Sequence, residues 1–311
     1  MLKINTLLIG LGNMALNYDY KSKKIQTHTK SLFLNKKINL ILGIDPNKKQ
    51  QKKFSDKYKI PTLKELSNIE KYKDIHFVVI STDKKNHLRE IKKVVKIKSV
   101  KAILIEKPCG QNLIEFLKIY KLCKINRIKL FINYQRLYDK NFQRLDSILQ
   151  SMKNFVGSAF YSRGFSNNMG HLLSIIYSMN FKKTKLKILK KGKNPNISIT
   201  FKNGFIQFLN SPRENLSNNE IEIVDENVKL KSSNEINNFE IFNLKKDSHI
   251  SQNFIFKKKG YIKFDLKYSQ KHVIDHIVKC IQKNQSTKLI KKLYETSFFL
   301  HTLKKKLLIN D

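Results

Sequence analysis

The chain has few of the residues that mark specialised classes of protein. Among its 311 residues there are no Trp, 3 Cys, 5 Pro and 10 Gly. The cysteines form neither a CxxC pair nor an even set, which argues against a disulfide framework and favours a reducing compartment, the cytoplasm. The longest apolar runs are short and interrupted by Lys or Asn, so the sequence predicts no membrane span. The first residues enter a strand at once, without a signal-peptide pattern.

Acidic residues are also scarce. The chain has 24 Asp and Glu against 62 Lys and Arg, a formal net charge of +38, and only six of the basic residues are Arg. Proteins that read nucleic acid more often use Arg, grouped in a stripe, for bidentate contacts with bases or phosphates. Here Lys is spread from end to end, so we expect weak, salt-sensitive binding to polyanions and no specific nucleic-acid partner.

A glycine motif follows the first apolar run, residues 4–9. Its sequence is Gly10-Leu11-Gly12-Asn13-Met14-Ala15, which matches the dinucleotide fingerprint G-x-G-x-x-G/A between a first strand and a first helix. Gly10 permits the tight turn, Gly12 lets the backbone approach a pyrophosphate, and Ala15 lets the helix pack close to the sheet. The first N–H groups of that helix are predicted to bind the phosphates.

The second apolar segment, residues 39–45, ends in a carboxylate, Asp45. An acid at the end of the second strand accepts hydrogen bonds from the adenosine ribose and repels a 2′-phosphate. Asp45 lies 35 positions after Gly10, further than the usual ~20, so we expect a longer loop and an extra helix between them. NAD(H) is therefore favoured and NADP(H) remains possible, because many lysines lie nearby. The alternative is an acidic turn before Pro46.

Short apolar segments alternate with helical patterns up to residue 134, which predicts a doubly wound parallel sheet. After residue 150, short strands with polar turns predict an open antiparallel sheet, and the chain is helical from residue 272. We therefore predict an α/β protein with a Rossmann dinucleotide-binding domain over residues 1–134. Residues 135–311 form a second, α+β domain with an open, mainly antiparallel sheet, and the C-terminal helices are free to pack back on the first domain. The predicted strands are residues 4–9, 39–45, 75–81, 101–105, 127–134, 198–201, 205–209, 220–224, 239–243 and 261–266, and the predicted helices are residues 27–35, 87–95, 113–124 and those from 272 onward.

Three further segments carry a family resemblance. They are Ser81-Thr82-Asp83 with His87, Glu106-Lys107-Pro108, and Asn133-Tyr134-Gln135-Arg136. With the glycine motif, they make the chain similar to the glucose–fructose oxidoreductase/inositol dehydrogenase (Gfo/Idh/MocA) family, whose members carry E-K-P and an N/x-Y-x-R strand. The pairs Tyr18-Asp19 and Thr27-His28 are similar to members found among surface-polysaccharide genes.

The resemblance implies an NAD(P)-dependent oxidoreductase that acts on a CH–OH group of a sugar, sugar nucleotide or polyol. It assigns catalysis to Lys107, which also contacts the cofactor, and proton transfer to His171 in the Gly170-His171 motif of the second domain. We expect both to act on one carbinol oxygen, since hydride transfer from a carbinol needs a proton acceptor. Asn167, Tyr134 and Arg136 are the expected substrate-binding residues. The expected cofactor-binding residues are Gly10, Gly12, Asn13, Met14, Asp45, Ser81, Thr82, His87, Glu106 and Lys107.

Other interpretations accompany these assignments. His171 would otherwise cap its helix, Lys107 would be a surface lysine, and His87 would cap the helix after its loop. Asp83 stands where the family usually has Pro, and Ser174 where an Asp is common, so the alternative function is a non-catalytic dinucleotide- or sugar-sensing protein on the same fold. His272 and His276 have i, i+4 spacing but no suitable acidic or Cys partner, so we expect no metal. The resemblance also implies a homodimer or homotetramer, formed through the second sheet.

Overall fold

A computed structural model describes the protein over residues 3–67, 74–179, 184–211, 213, 216–233, 235–248, 250, 252–283 and 288–309. The chain divides into two compact units. The first contains Met1–Tyr138 and Leu266–His301, and the second contains Asp139–Asp265 and Thr302–Asp311. No helix in the described ranges has the length and hydropathy needed to cross a bilayer.

The first unit is built on a six-stranded sheet in the order β3-β2-β1-β4-β5-β6, with every neighbouring pair parallel. The central strand β4 is a fully buried run of Phe, Val and Ile, and β1 is apolar except at Asn5 and Thr6, as expected for parallel strands covered on both faces by helices. The strand order reverses between β1 and β4, which is the switch point where doubly wound sheets bind ligands. The strands are β1 Ile4–Ile9, β2 Ile38–Ile44, β3 Thr62–Leu63, β4 Phe77–Ile80, β5 Ala102–Ile105 and β6 Lys129–Ile132.

The helices of the first unit begin mostly at side-chain caps. Thr27, Asn47 and Asn112 each accept a hydrogen bond from a backbone N–H in the first turn of the helix that follows. Such caps satisfy backbone donors that have no partner inside the helix. The helices are α1 His28–Leu34, α2 Lys48–Tyr58, α3 His87–Val94, α4 Leu113–Ile125 and α7 Ser269–Gln282. Another helix, α8 Lys288–Lys306, begins in this unit and ends in the second.

One expected helix is much shorter than predicted. The glycine motif leads into a single wide helical turn, Asn13–Asn17, in which the Tyr18 N–H bonds the Asn13 carbonyl. The long loop from there to Thr27 is held by Asp19, and the expected extra helix follows as α1. A turn of this length has a weaker dipole than the full helix that the motif predicted.

The second unit is built on an eight-stranded sheet in the order β14-β13-β12-β11-β7-β10-β9-β8. All neighbours are antiparallel except β7 and β10, which are parallel. Two helices, α5 Phe142–Ser151 and α6 Phe165–Ile175, belong to the same unit. The fold class is therefore confirmed. The strands are β7 Phe155–Tyr161, β8 Lys185–Lys190, β9 Asn196–Phe201, β10 Gly204–Asn210, β11 Glu220–Val224, β12 Val228–Ser233, β13 Asn238–Lys246 and β14 Phe254–Lys263.

One face of this sheet is buried, and the opposite face carries a group of apolar side chains that we call the outer apolar patch. Val156 on β7 is paired with Phe205 on β10 and Val224 on β11, and Phe160 is paired with Leu209. Val156, Phe160 and Phe205 are 48%, 39% and 38% exposed. The two edge strands of the sheet, β8 and β14, are rich in lysine at Lys185, Lys187, Lys190, Lys257, Lys258, Lys259 and Lys263.

Candidate functional site

The glycine loop lies where the strand order of the first sheet reverses. Gly10 has φ +89°, and a Cβ atom there would lie 2.6 Å from the carbonyl oxygen of Ser81. Both facts require glycine, since L-residues avoid this φ and the loop after β4 packs directly against Gly10. A Cβ on Gly12, in contrast, would meet no atom within 4 Å. The fold therefore needs Gly10, whereas Gly12 faces open space.

The carboxylate of Asp45 faces this loop. It accepts a hydrogen bond from the Leu11 N–H at 2.7 Å with Oδ2 and one from the Asn47 N–H at 2.8 Å with Oδ1. Each carboxylate oxygen has a second lone-pair direction. Asp45 thus fixes the glycine loop to the end of β2 and retains acceptor capacity for a ligand.

A cavity of about 580 Å³ opens at the carboxyl ends of β1, β2 and β4. This is the size of a typical small-molecule site. Five predicted cofactor residues line it: Gly10, Gly12, Asp45, Ser81 and Thr82. Asn13, Met14, His87, Glu106 and Lys107 are outside its lining among the described residues. Charged side chains of both signs complete the wall at Asp83, Glu90, Arg89, Glu65, Lys93 and Lys64.

Two hydroxyl groups at this cavity have no hydrogen-bond partner in the described part of the chain. Ser81 Oγ and Thr82 Oγ1 are buried atoms without a hydrogen bond to any described residue, although both residues line the cavity. A buried polar group without a partner is costly. The two hydroxyls are therefore suited to a polar ligand.

Asp83, which stands at the usual Pro position, keeps the loop in order. Its carboxylate accepts a hydrogen bond from the Lys85 N–H at 2.9 Å and caps the short turn Lys84–Asn86. A capping Asp and a Pro both restrict the start of a helical turn. The departure from the family pattern thus leaves an ordered loop at the cavity.

His87 joins two loops of the first unit. Its Nδ1 accepts a hydrogen bond from the Gly110 N–H at 3.3 Å, and its Nε2 lies 3.1 Å from the Thr82 carbonyl oxygen. Burial is the largest influence on His87 and lowers its pKa below 6.5, which fits a neutral ring with the proton on Nε2. Both ring nitrogens are occupied by backbone groups, so His87 supports the cavity loop rather than offering a nitrogen to a cofactor.

A second polar cluster lies at the carboxyl ends of β5 and β6. Glu106 Oε1 lies 2.6 Å from Nε2 of His28 and 2.7 Å from the amide nitrogen of Asn133. Burial raises the pKa of Glu106, but these two hydrogen bonds and the charge of Lys107 outweigh it and leave the pKa below its usual value. Glu106, predicted as a cofactor residue, is thus a buried, ionised carboxylate with partners from α1 and from the end of β6.

Two predicted substrate residues are buried. Tyr134 is 1% exposed, its hydroxyl lies 3.2 Å from Ser297 Oγ, and burial raises its pKa far above the usual range. Arg136 is 7% exposed. Tyr134 is therefore part of the interior of the first unit, and substrate binding by Tyr134 and Arg136 stays a prediction.

In the second unit, His171 lies in the middle of α6. The helix begins at Phe165, which excludes the interpretation that His171 starts or caps its helix. Asn167 is exposed and precedes His171 by four residues, so both lie on one face of α6. Ser174 is buried, and its hydroxyl donates to the His171 carbonyl at 2.7 Å. The hydroxyl therefore has its partner within α6 itself.

Lys107 follows the end of β5 in the first unit, and His171 lies in the second. The Lys107 side chain is half-buried and close enough to Glu106 for their charges to interact. Cys109, two positions on, is buried, and burial raises the pKa of its thiol well above its usual value. That thiol is therefore no nucleophile. The described residues contain no cluster of three or more His, Cys, Asp or Glu suited to a metal ion.

Sequence reasoning missed His28 and Asn133 as members of this site. They contact Glu106 across 78 and 27 positions of the chain, and no local pattern reports such contacts. The only signals were the Thr27-His28 pair before α1 and the Asn that opens the Asn133-Tyr134-Gln135-Arg136 motif.

The first unit thus has a doubly wound parallel sheet with a cavity at its switch point. Residues 4–134 match the family model described as oxidoreductase family, NAD-binding Rossmann fold, of the Gfo/Idh/MocA type. The match covers 131 of the 311 residues and confirms the resemblance seen in the sequence. No curated protein sequence matches the chain.

Solved structures share the fold over nearly the whole length. UDP-N-acetylglucosamine 3-dehydrogenase GnnA from Acidithiobacillus ferrooxidans is 11% identical with a TM-score of 0.71, over 99% of this chain and 100% of that one. A variant of KijD10, a 3-ketoreductase from Actinomadura kijaniata in complex with TDP-benzene and NADP, is 10% identical with a TM-score of 0.72, over 99% and 98%. The super-repressor mutant of Gal80p from Saccharomyces cerevisiae is 12% identical with a TM-score of 0.72, over 98% and 95%.

Proposed function

We propose that this protein is an NAD(P)-dependent oxidoreductase that transfers a hydride between the nicotinamide and a carbinol or carbonyl carbon of a sugar, sugar nucleotide or polyol. The observation that carries the proposal is the cavity at the switch point of the first sheet. There the glycine loop, the Asp45 carboxylate and two unpartnered hydroxyls meet.

The residues at this cavity fit a dinucleotide. Gly12 leaves open the space that a Cβ would fill, which is the room a pyrophosphate needs. Ser81 and Thr82 offer hydroxyls, and Asp45 retains acceptor capacity for the two hydroxyls of an adenosine ribose. When bound, the nicotinamide supplies the acceptor or donor of the hydride.

The charges around the cavity favour NAD(H) over NADP(H). Two of the cations in its wall are paired with carboxylates: Arg89 Nε lies 2.8 Å from Glu90, and Lys93 Nζ lies 3.4 Å from Glu65. A 2′-phosphate would therefore meet the Asp45 carboxylate and cations that are already partly neutralised. Lys64 also lines the cavity, so NADP(H) binding is expected to be weaker but measurable.

The chemistry needs groups that hold the reacting oxygen and move its proton. We assign the first task to Lys107, at the carboxyl end of a parallel strand, where such sheets bind ligands. We assign proton transfer to His171, since an imidazole has an ordinary pKa near neutrality. Asn167, on the same face of α6, is assigned to a substrate hydroxyl because an amide both donates and accepts hydrogen bonds.

A nucleotide-sugar substrate is supported by the name of one similar structure, UDP-N-acetylglucosamine 3-dehydrogenase. A nucleotide-linked ligand is supported by another, the 3-ketoreductase KijD10 in complex with TDP-benzene. The Thr27-His28 and Tyr18-Asp19 pairs are similar to those of family members from surface-polysaccharide genes, and they suggest a role in surface-polysaccharide biosynthesis. A second candidate function is non-catalytic sensing of a dinucleotide or sugar, which is favoured by the similarity to Gal80p, named as a repressor.

Binding and turnover distinguish the two functions. We expect calorimetric titration to give tighter binding for NADH than for NADPH. Asp45→Ala is expected to reduce the difference between the two dissociation constants. Asn47→Ser, which leaves the Asp45 carboxylate in place and keeps a side-chain cap at the start of α2, is the control. Equal affinity for the two cofactors, or tighter binding of NADPH, in the unmodified protein would contradict the role given to Asp45.

A panel of sugars and nucleotide sugars, with turnover monitored by NADH absorbance, is expected to yield a substrate. Cofactor binding without turnover on any member of the panel would favour the sensor.

A further inference from the structure

A buried imidazole–carboxylate pair lies directly beside the lysine proposed for catalysis. His28 is 0% exposed and Glu106 is 9% exposed, and Nε2 of His28 lies 2.6 Å from Oε1 of Glu106. Because a carboxylate offers only acceptors, Nε2 carries the proton of this bond. The other ring nitrogen, Nδ1, is buried without a partner among the described residues, which suits a bare nitrogen better than a second N–H.

The position of His28 is itself fixed by a buried carboxylate. Asp19 is 1% exposed and accepts hydrogen bonds from the Gln26 N–H at 2.6 Å, the Thr27 N–H at 2.9 Å and the Thr27 hydroxyl at 2.7 Å. Thr27 in turn caps α1, whose first residue is His28. The long loop after the glycine motif therefore ends in a rigid turn that presents one imidazole to the end of β5.

Glu106 connects this turn to Lys107. Its backbone N–H bonds the carbonyl of Ile80, and its side chain is held from two sides by His28 and Asn133. The next residue is Lys107, whose charge interacts with that of Glu106. The negative charge at Glu106 thus contributes to the electrostatics of the lysine that follows it.

We propose that His28 is a positioning residue for Lys107: its Nε2–H keeps the Glu106 carboxylate in place, and Glu106 holds the Lys107 ammonium as its counter-charge. The proposal rests on the proposed role of Lys107. His28 would then act through Glu106, without contact to the substrate.

The charged and titratable groups that face Glu106 determine whether loss of the His28 bond raises or lowers the pH at which Lys107 deprotonates. They are His28 from α1, Lys107 from its own strand end and His87 from α3. His87 is kept neutral by burial, so Glu106 is the negative charge next to Lys107. Loss of the His28 bond leaves the buried carboxylate either protonated or displaced. In both cases Lys107 loses its counter-charge, and its amine is expected to deprotonate at a lower pH.

Competitive acetylation with acetic anhydride measures this coupling without a substrate. The extent of labelling at Lys107 is followed by peptide mass spectrometry across pH, and its midpoint reports deprotonation of the amine. Lys101, at the other end of the same strand, is the internal control. We expect Glu106→Gln to lower the Lys107 midpoint by about one pH unit, the scale of an opposite-charge neighbour, and to leave Lys101 unchanged.

Two amides at position 28 provide the matched comparison. His28→Gln places an amide N–H near the position of Nε2 and is expected to keep the midpoint of the unmodified protein. His28→Asn carries the same amide on a shorter side chain that does not reach Glu106, and is expected to lower the midpoint as Glu106→Gln does. Equal shifts for the two amides, or no shift for His28→Asn, would overturn the proposal, as would an unchanged midpoint in Glu106→Gln.

A measurement on the unmodified protein keeps the proposal testable if His28→Asn does not fold. Nitrogen-15 NMR of the histidine rings is expected to show His28 protonated at Nε2 and bare at Nδ1. The opposite tautomer would overturn the proposal. Neither measurement depends on a cofactor, so failure of NADH to bind would remove the proposed function and leave the His28 result standing by itself.

Discussion

Gly10 and Gly12 are two positions apart, and the structure gives them different tasks. We predict that Gly10→Ala destabilises the protein, because alanine at φ +89° costs about 1–2 kcal/mol and its Cβ would overlap the Ser81 carbonyl. Gly12→Ala is expected to leave the urea midpoint unchanged, since its Cβ meets no atom, but to weaken NADH binding at least tenfold. Unfolding curves and NADH fluorescence measure the two effects. Unchanged NADH affinity in Gly12→Ala would place the pyrophosphate elsewhere.

His87 predicts a dependence of stability on pH. Burial lowers its pKa below 6.5 in the folded protein, so the unfolded chain binds the proton more readily. Its stabilising contribution is therefore complete above 6.5 and is lost as the pH falls from 6.5 toward the lowered value. We predict that His87→Gln, which keeps an amide donor and acceptor, loses less stability than the unmodified protein between pH 7.5 and pH 5.5. Urea unfolding measures this, with exposed Lys85→Gln as control. An equal loss of stability in His87→Gln and in the unmodified protein would count against a lowered pKa of His87.

The residues that sequence reasoning identified are those whose task is local. Gly10 and Asp45 lie within a motif or at a strand end, where the chain itself specifies the backbone. His28 and Asn133 were missed because their task arises from contacts made only after folding. The burial of Tyr134 was missed for the same reason, since its motif reveals nothing of the contact with the Ser297 hydroxyl.

At the scale of elements, the buried parallel strands were predicted well because continuous runs of Val, Ile and Leu leave few alternatives. The second sheet was predicted less well. β7 and β12 were missed because small and polar residues interrupt their alternation. β8 was missed because this edge strand, Lys-Leu-Lys-Ile-Leu-Lys, lacks a buried face. The last strand was placed at 261–266 and lies at Phe254–Lys263, since three consecutive lysines concealed its first half.

Two elements carry the proposed chemistry: the end of β5, with Lys107, and helix α6, with His171. We predict that Lys107→Ala and His171→Ala each lower the rate of the chemical step by roughly 10² or more, the scale of lost acid–base catalysis. NADH affinity is expected to change little for His171→Ala and to fall somewhat for Lys107→Ala. Single-turnover kinetics on the best substrate of the panel separates these effects.

Lys101→Ala, at the opposite end of the strand that Lys107 follows, is the control for general loss of positive charge and is expected to retain full activity. Full activity in either Lys107→Ala or His171→Ala would remove that residue from the mechanism and leave cofactor binding untouched.

At the scale of the whole molecule, the outer apolar patch predicts self-association. An exposed sheet face with Val156, Phe160 and Phe205 is an aggregation liability unless it is covered. We predict a dimer or tetramer by light scattering at micromolar concentration and moderate salt, with charge repulsion weakening it at low salt. Phe160→Glu together with Phe205→Glu is expected to give a monomer, whereas Ile114→Glu on exposed α4 is expected to change nothing. A monomeric unmodified protein would contradict the prediction.

The lysines on the two edge strands determine how far such an assembly can extend. An open edge offers unpaired N–H and C=O groups to another strand, and each added strand creates a new edge. β8 and β14 oppose this route because their lysines bring like charges together whenever two edges approach. Within the sheet only the face remains for contact, and a face that has paired with its own copy is no longer exposed, so a tetramer needs a second contact surface outside the sheet. The sheet can thus associate with a second copy of the chain through its face, while its edges resist growth into a fibre.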